Sequence, residues 1–168
     1  MPFLADCLQG RINLHSAVYR KAHDTETVIW MTLDGQELFR YGGYPFQLKQ
    51  DARYSEAKCA LPARPIEFNM QIFQSDWYKA SQNLLERITQ QLYQEGEFDS
   101  YYVLTGLMDY PNLPIEAARV HENLFIRGFA LLDRRFGKRR FAQLDAEQLT
   151  SFEKLCYDLR IDLDGIKV

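Results

Sequence analysis

The longest apolar periodicity in the chain runs from Ile115 to Phe141, and it constrains the fold more than any other feature. At 100° per residue the apolar positions form a broad arc, which is typical of a helix that packs on two sides. Pro114 suits the first turn of such a helix, and Gly137 suits its end. The pattern therefore predicts one central helix over 114–137. The predicted buried arc comprises Ala117, Ala118, Val120, Leu124, Phe125, Gly128, Phe129, Leu131, Leu132 and Phe136.

Two ionisable residues, His121 and Arg135, interrupt this apolar arc. A buried ionisable group has to be paired, neutralised or placed at a pocket. The simpler interpretation of His121 is a neutral core imidazole that is hydrogen-bonded to a carbonyl or a tyrosine. The alternative makes His121 an acid–base residue at a pocket, and thus the candidate catalytic residue. For Arg135 we expect a structural ion pair.

The end of the same stretch carries the densest charge in the chain. From Arg127 to Arg140 six cations stand against one carboxylate, Asp133. Cations at this place could complement the negative end of a helix, pair with carboxylates or form a solvated turn. The functional alternative is a site for an anionic ligand or an acidic partner. The helical phase turns Phe136 inward, which gives base stacking little support. The predicted ligand-binding residues are Arg134, Lys138, Arg139 and Arg140.

The first part of the chain has the residue pattern of β-strands. Residues 12–19, 27–33 and 37–41 are rich in alternating, β-branched and aromatic positions. Asp34-Gly35 suits a tight hairpin turn because glycine accepts a positive φ. The segment 23–25 is a plausible polar tip for the preceding hairpin. These patterns predict a three-stranded antiparallel meander that Gly42-Gly43 ends.

Residues 44–74 give a weaker signal. Prolines punctuate the segment, and weak helical character is confined to 52–60. We expect a loop-rich crossover, with an extra strand over 66–72 because Ile66, Phe68, Met70 and Ile72 recur at a spacing of two.

The second half has helical periodicity. Ser75 is a good N-cap for an amphipathic helix that Gly96 ends, and Asp99 is a good N-cap for a helix over 100–109. Asp145 and Gln148 resemble a capping box for a last helix through Arg160. We therefore predict a single α+β domain over 1–168, strand-rich over 11–72 and helical over 75–161. Its N-terminal antiparallel meander packs on a C-terminal bundle of about four helices.

Composition narrows the class of protein. The chain is 46% hydrophobic with a net charge of −3, so it has a core and no global attraction for nucleic acid or an acidic membrane. Cys7, Cys59 and Cys156 are odd in number and far apart, which predicts free thiols in a reducing compartment. The start of the chain lacks the features of a secretory signal, and no apolar run approaches a membrane span. A cytoplasmic protein is expected.

No catalytic, nucleotide-binding or metal-binding motif is complete in the sequence, and no cofactor or metal ion is expected. The leading hypothesis is therefore a non-enzymatic binding or regulatory module, which recognises an anionic ligand or acidic partner through the basic helix end. The alternative is an enzyme whose site is assembled around His121 from scattered residues, namely Arg127, Arg135 and a tyrosine or carboxylate from another element. A further alternative is a homo-oligomeric scaffold. A pocket at His121 would favour the enzyme, and a flat basic surface would favour the binding module.

Overall fold

The computed structural model of the chain describes residues 3–21, 26–65 and 70–165. Its three strands are β1 (Ile12–Tyr19), β2 (Glu26–Leu33) and β3 (Gln36–Gly42). The α-helices of the described residues are α1 (Gly43–Ala57), α2 (Asp76–Gln94), α3 (Ser100–Asp109), α4 (Ile115–Arg119), α5 (Leu124–Phe129), α6 (Lys138–Phe141) and α7 (Ser151–Asp164). The predicted α+β fold, a meander followed by helices, is confirmed.

The strands form one antiparallel sheet in the order β1-β2-β3. Asp34 and Gly35 both have positive φ, at 51° and 83°, and they connect β2 to β3 as predicted. Ile29 and Met31 point from the central strand into the core, with exposed fractions of 1% or less. The predicted hairpin tip at 23–25 lies outside the described residues. The sheet therefore covers the helices with one face, as the alternation of its residues indicates.

The prediction for residues 44–74 was partly wrong: residues 61–65 form a loop as expected, but helices occupy most of the other described residues. Helix α1 occupies Gly43–Ala57, and Met70–Gln74 forms a 3-10 helix where the end of an extra strand was expected; residues 66–69 lie outside the described residues. Of the residues of α1, Phe46 alone is buried, so the helix has almost no apolar stripe to detect. Ion pairs instead join it to the end of α2, with Arg53 bound to Glu95 and Lys49 bound to Glu97.

The long helices that follow agree with the sequence. Ser75 caps α2 by accepting from the Tyr78 N–H at 3.2 Å, and Asp99 caps α3 by accepting from the Tyr102 N–H at 2.8 Å. The last helix differs, because Thr150 and Glu153 form its capping box. The predicted cap, Asp145, begins a separate 3-10 turn over Ala146–Gln148.

The predicted central helix over 114–137 is broken into pieces. Helix α4 ends at Arg119, and α5 begins only after Asn123, whose Oδ1 accepts from the Ile126 N–H at 3.2 Å. This cap competes successfully with helix continuation because asparagine satisfies a free amide at a helix start. Val120, which was predicted to be buried, lies in the break and is 82% exposed.

A second break follows α5. The chain becomes extended at Asp133, where it forms a β-bridge with Leu4. Two hydrogen bonds hold this contact, from Ala5 N–H to Leu132 O and from Arg134 N–H to Phe3 O, both at 2.9 Å. Gly137 was predicted to end the central helix but is the N-cap residue of α6. Pairing with the N-terminal segment therefore replaces helical hydrogen bonds here.

Four predicted core residues of the central segment are confirmed, whereas Ala117 of the predicted arc is exposed on α4. Leu124, Phe125, Phe129 and Leu132 are at most 5% exposed. The Phe125 ring stacks on Phe129 at 5.4 Å and on Phe152 of α7 at 5.1 Å between centroids. These rings join α5 to α7 at the centre of the molecule, although α5 is much shorter than the sequence predicted.

Candidate functional site

The cluster of cations sits on residues 134–140, which we call the basic turn, and a buried carboxylate anchors it. Asp133 is fully buried and accepts from the Tyr110 hydroxyl at 2.6 Å, from the Arg135 N–H at 2.7 Å and from the Arg135 guanidinium at 2.8 Å. Burial raises the pKa of Asp133, but the hydrogen bonds from Arg135 and Tyr110 outweigh it, so the pKa lies below its ordinary value. Asp133 therefore remains charged and fixes the start of the turn.

A second arginine binds the backbone at the start of the basic turn. Arg160 of α7 is 3% exposed, and its Nη1 donates to the carbonyls of Leu131 and Asp133 at 2.9 and 3.1 Å. Its Nε donates to Asp164 at 2.7 Å. Because buried carbonyls and a buried guanidinium satisfy each other, the backbone beneath the basic turn has a defined conformation.

The four predicted ligand-binding residues all reach solvent. Arg140 forms an ion pair with Glu116 at 2.7 Å, and Lys138 donates to the backbone oxygen of Asp164 at 3.0 Å. The side chains of Arg134 and Arg139 have no hydrogen-bond or ion-pair partner among the described residues. Arg140 and Lys138 thus have polar partners within the fold, whereas Arg134 and Arg139 remain available for a ligand.

Arg135 combines a correct and an incorrect expectation. Its predicted structural ion pair is confirmed by the contact with Asp133, and the guanidinium also donates to Leu113 O at 3.0 Å. The predicted inward orientation is wrong, since 38% of the side chain is exposed. The reason is that the chain is not helical at this position, so the helical phase does not apply.

Arg127, the remaining cation of the segment, is part of a buried charge network. Glu153 is fully buried, and its carboxylate forms ion pairs with Arg127 at 2.9 Å and with Arg119 at 3.0 Å. Burial raises the pKa of Glu153, but its bonds to Thr150 and the two arginines lower it more, so the pKa is below its ordinary value. This network ties α4 and α5 to α7.

A cleft of about 480 Å³ lies between α2, α3 and the connection from α4 to α5. Three tyrosines line it, Tyr93, Tyr101 and Tyr102, and we call it the tyrosine cleft. The Tyr93 hydroxyl donates to Asp99 at 2.8 Å, and the Tyr102 hydroxyl accepts from the Leu124 N–H at 2.8 Å. Both rings are therefore held in place by the fold, and they stack at 4.0 Å between centroids.

His121 lines the tyrosine cleft and is partly exposed, so the expectation of a sealed core histidine was wrong. Its Nδ1 accepts from the Asn123 N–H at 3.0 Å, which leaves the hydrogen of a neutral ring on Nε2. The structure does not gather the other two residues of the scattered enzyme site around it. Arg127 is bonded to Glu153, and Arg135 is bonded to Asp133.

No pattern in the sequence indicated the tyrosine cleft. Its walls come from three separate elements, and no spacing in the chain connects them. The local signal that was available is the pair of adjacent aromatic residues Tyr101-Tyr102 just after the capping residue Asp99.

Burial limits the reactivity of two of the cysteines, Cys7 and Cys156. Burial raises the pKa of the Cys7 thiol to about 11, with a further contribution from the hydrogen bond to Asp164. Burial also raises the pKa of Cys156. Both thiols are therefore protonated near neutral pH and are weak nucleophiles. Among the described residues, no group of three or more His, Cys, Asp or Glu side chains is placed to hold a metal ion.

The chain thus has an α+β fold that carries the basic turn and the tyrosine cleft on its surface. No helix among the described residues is both long enough and apolar enough to cross a membrane. The chain belongs to the SF0329 protein family, whose family model matches residues 1–161. No curated protein and no solved structure matches the chain.

Proposed function

We propose that the protein is a non-enzymatic binding module whose basic turn docks an acidic segment of a partner protein. The observation that carries this proposal is the availability of Arg134 and Arg139. Both are exposed, and neither has a carboxylate partner among the described residues. Guanidinium groups bind carboxylates through two parallel hydrogen bonds, so they suit an acidic protein surface.

The anchoring of the turn supports the same proposal. Asp133 and Arg160 fix the backbone beneath the exposed arginines. A ligand that binds a pre-organised surface loses less conformational entropy than one that must order a loop. The anchor thus favours recognition by this segment over a merely solvated turn.

Two features favour an acidic protein segment over nucleic acid. The chain has a net charge of −3, which opposes association with a long polyanion. The aromatic residues of the segment, Phe136 and Phe141, are 5% and 0% exposed, so neither ring can stack on a base. Short acidic peptides avoid both difficulties.

The test compares two charge reversals of equal size. Arg134→Glu/Arg139→Glu changes the basic turn without touching an ion pair of the fold. Lys79→Glu/Arg87→Glu makes the same change in net charge on α2, at exposed positions without ion-pair partners among the described residues. We expect wild type and the α2 variant to bind a polyglutamate peptide, with affinity falling steeply between about 50 and about 200 mM salt, and the basic-turn variant to lose binding.

Three outcomes would contradict the proposal. They are no binding of the peptide by wild type at low salt, equal loss in both variants, and binding of a short single-stranded oligonucleotide in place of the peptide. Reversal of all four predicted residues, Arg134, Lys138, Arg139 and Arg140, should abolish any residual binding. It is the weaker test, because it also breaks the ion pair between Arg140 and Glu116.

An enzyme is the second candidate, and one observation favours it. His121 lines the tyrosine cleft, and its Nε2 has no hydrogen-bond partner among the described residues. An acid–base residue needs such a ring nitrogen facing a pocket. Turnover of a panel of chromogenic ester, phosphate and glycoside substrates by wild type, lost in His121→Gln, would favour this candidate over the binding module.

The cytoplasm is the compartment we propose for this module. Cys7, Cys59 and Cys156 are free thiols in the structure, as a reducing compartment would keep them. Fractionation of cells that express the full chain tests this, and recovery of the protein in a secreted or membrane fraction would contradict it.

A further inference from the structure

The tyrosine cleft carries a charge opposite to that of the basic turn. Three carboxylates line it, Asp99, Asp109 and Glu122, and none of its lining residues is a lysine or an arginine. Asp99 is engaged with Tyr93 and with the start of α3. Asp109 and Glu122 are exposed and have no hydrogen-bond or ion-pair partner in the part of the chain that the structure describes. The cleft therefore attracts cations.

The charge acts inside the cleft as well as at its rim. Burial and the carboxylates of Glu122 and Asp99 raise the pKa of Tyr102, because they disfavour a further negative charge there. Arg127, whose positive charge opposes this rise in the pKa of Tyr102, is bound to Glu153. A positive side chain that entered the cleft would find both uncompensated carboxylates and aromatic rings. Ammonium and guanidinium groups bind the faces of such rings.

An apolar surface continues from the cleft along α3. Tyr101, Leu104 and Met108 are 77%, 41% and 68% exposed, and they recur at a spacing of three and four residues on one side of the helix. We call these three residues the α3 stripe. Tyr101 belongs to both the stripe and the cleft, so the two surfaces are continuous. Adjacent exposed apolar side chains on a regular element are typical of interaction surfaces.

We propose that the tyrosine cleft and the α3 stripe together dock a basic amphipathic segment of a partner protein, with a lysine or arginine side chain in the cleft and aliphatic side chains on the stripe. The complementary charge selects the cation, and the exposed apolar residues require a partner with apolar side chains beside it. A small amine would fill the cleft and leave the stripe uncovered. This inference concerns a different surface and a partner of opposite charge from those of the basic turn.

The basic turn of a second copy of this chain is a poorer occupant. Its own cluster of cations lies beside Phe136 and Phe141, which are buried and offer the stripe no apolar contact. The basic turn therefore matches the charge of the cleft but not the chemistry of the α3 stripe. A lysine- and leucine-containing helix matches both.

The experiment uses the full chain and a synthetic peptide with lysine and leucine at helical spacing. Two comparison peptides replace its lysines by glutamate or its leucines by serine. We expect the lysine/leucine peptide to bind more tightly than either comparison peptide. Asp109→Asn/Glu122→Gln should weaken binding of this peptide roughly tenfold, since it removes two exposed ion pairs with the lysines. Asp51→Asn/Glu86→Gln, which makes the same charge change at exposed positions elsewhere, should leave affinity unchanged.

A separate variant tests the contribution of the α3 stripe to peptide binding. Met108→Ser, at a residue that is 68% exposed, should weaken binding of the lysine/leucine peptide and leave binding of the lysine/serine peptide unchanged. Equal affinity for the lysine and glutamate peptides, or equal losses in the two carboxylate variants, would overturn the proposal. Sedimentation that shows self-association of wild type, abolished by Met108→Ser, would also overturn it in favour of a second copy. The basic-turn variant Arg134→Glu/Arg139→Glu should bind the lysine/leucine peptide like wild type, which separates this test from that of the proposed function.

Discussion

The phenyl ring of Phe152 lies so close to Gly128 that a β-carbon on Gly128 would be 2.4 Å from the ring Cδ1. Gly128 is in α5 and Phe152 is in the first turn of α7, so this contact sets the distance between the two helices. Phe152 has little freedom to move, because it is 2% exposed and stacks on Phe125. The lack of a side chain at Gly128, which lies in the predicted apolar arc, therefore lets α7 approach α5 closely.

We expect Gly128→Ala to destabilise the protein by about 1–3 kcal/mol, since the added methyl group overpacks a filled core. Gly43→Ala is the matched control, because its β-carbon would meet only Ser100 Oγ at 3.8 Å. Chemical denaturation of both variants gives the free energies of unfolding. Equal stability of the two variants would contradict the close packing of α5 and α7.

Phe129→Ala should lower the free energy of unfolding by roughly 3–5 kcal/mol, because the ring is 1% exposed and its loss leaves a cavity. Tyr44→Ala, at a ring that is 61% exposed, controls for the removal of an aromatic side chain. Denaturant titration measures both. A change within about 0.5 kcal/mol for Phe129→Ala, the range of surface substitutions, would reject the packing around α5.

Gly35→Val should destabilise the hairpin turn by about 1–2 kcal/mol, because a β-branched side chain is strained at φ 83°. No atom lies within 4 Å of the added β-carbon, so the cost comes from the backbone conformation. Gly35→Asn should be close to wild type, since asparagine tolerates a positive φ. Thermal and chemical denaturation should rank wild type and Gly35→Asn above Gly35→Val; an equal loss for both variants would point to a cause other than φ.

Glu153→Gln should cost about 3 kcal/mol at neutral pH, because it leaves Arg119 and Arg127 without their shared carboxylate. The pKa of Glu153 is lowered by folding from its ordinary 4.5. The stabilisation from this carboxylate is therefore fully present above about pH 4.5 and is lost as the pH falls through the lower folded-state pKa.

The difference in unfolding free energy between wild type and Glu153→Gln should accordingly shrink as the pH is lowered from about 7 to about 3. Urea denaturation at several pH values measures this difference. Glu86→Gln, at an exposed position without an ion-pair partner among the described residues, controls for the loss of one carboxylate. A difference that stays constant across this range would show that Glu153 is not a stabilising anion.

The sequence predicted the parts of the fold that local interactions specify. The Asp34-Gly35 turn, the caps Ser75 and Asp99, and the buried positions Leu124 and Phe125 all follow from backbone preference or periodicity within a few residues. Each of these signals is local because the groups that satisfy one another are neighbours along the chain. The basic cluster was also visible, since charge density needs no tertiary information.

The tertiary structure decided where the central segment breaks and what its charges do. The extended backbone at Asp133 depends on a β-bridge to Leu4. Arg127 faces inward because it forms an ion pair with Glu153 of α7. The tyrosine cleft likewise exists only where α2, α3 and the connection before α5 meet. Hydrogen bonds between residues distant in sequence outweigh helix propensity at these positions, because a buried polar group without a partner costs more than a few residues of helix contribute. The hydrophobic periodicity along the chain does not indicate which distant residues these partners are.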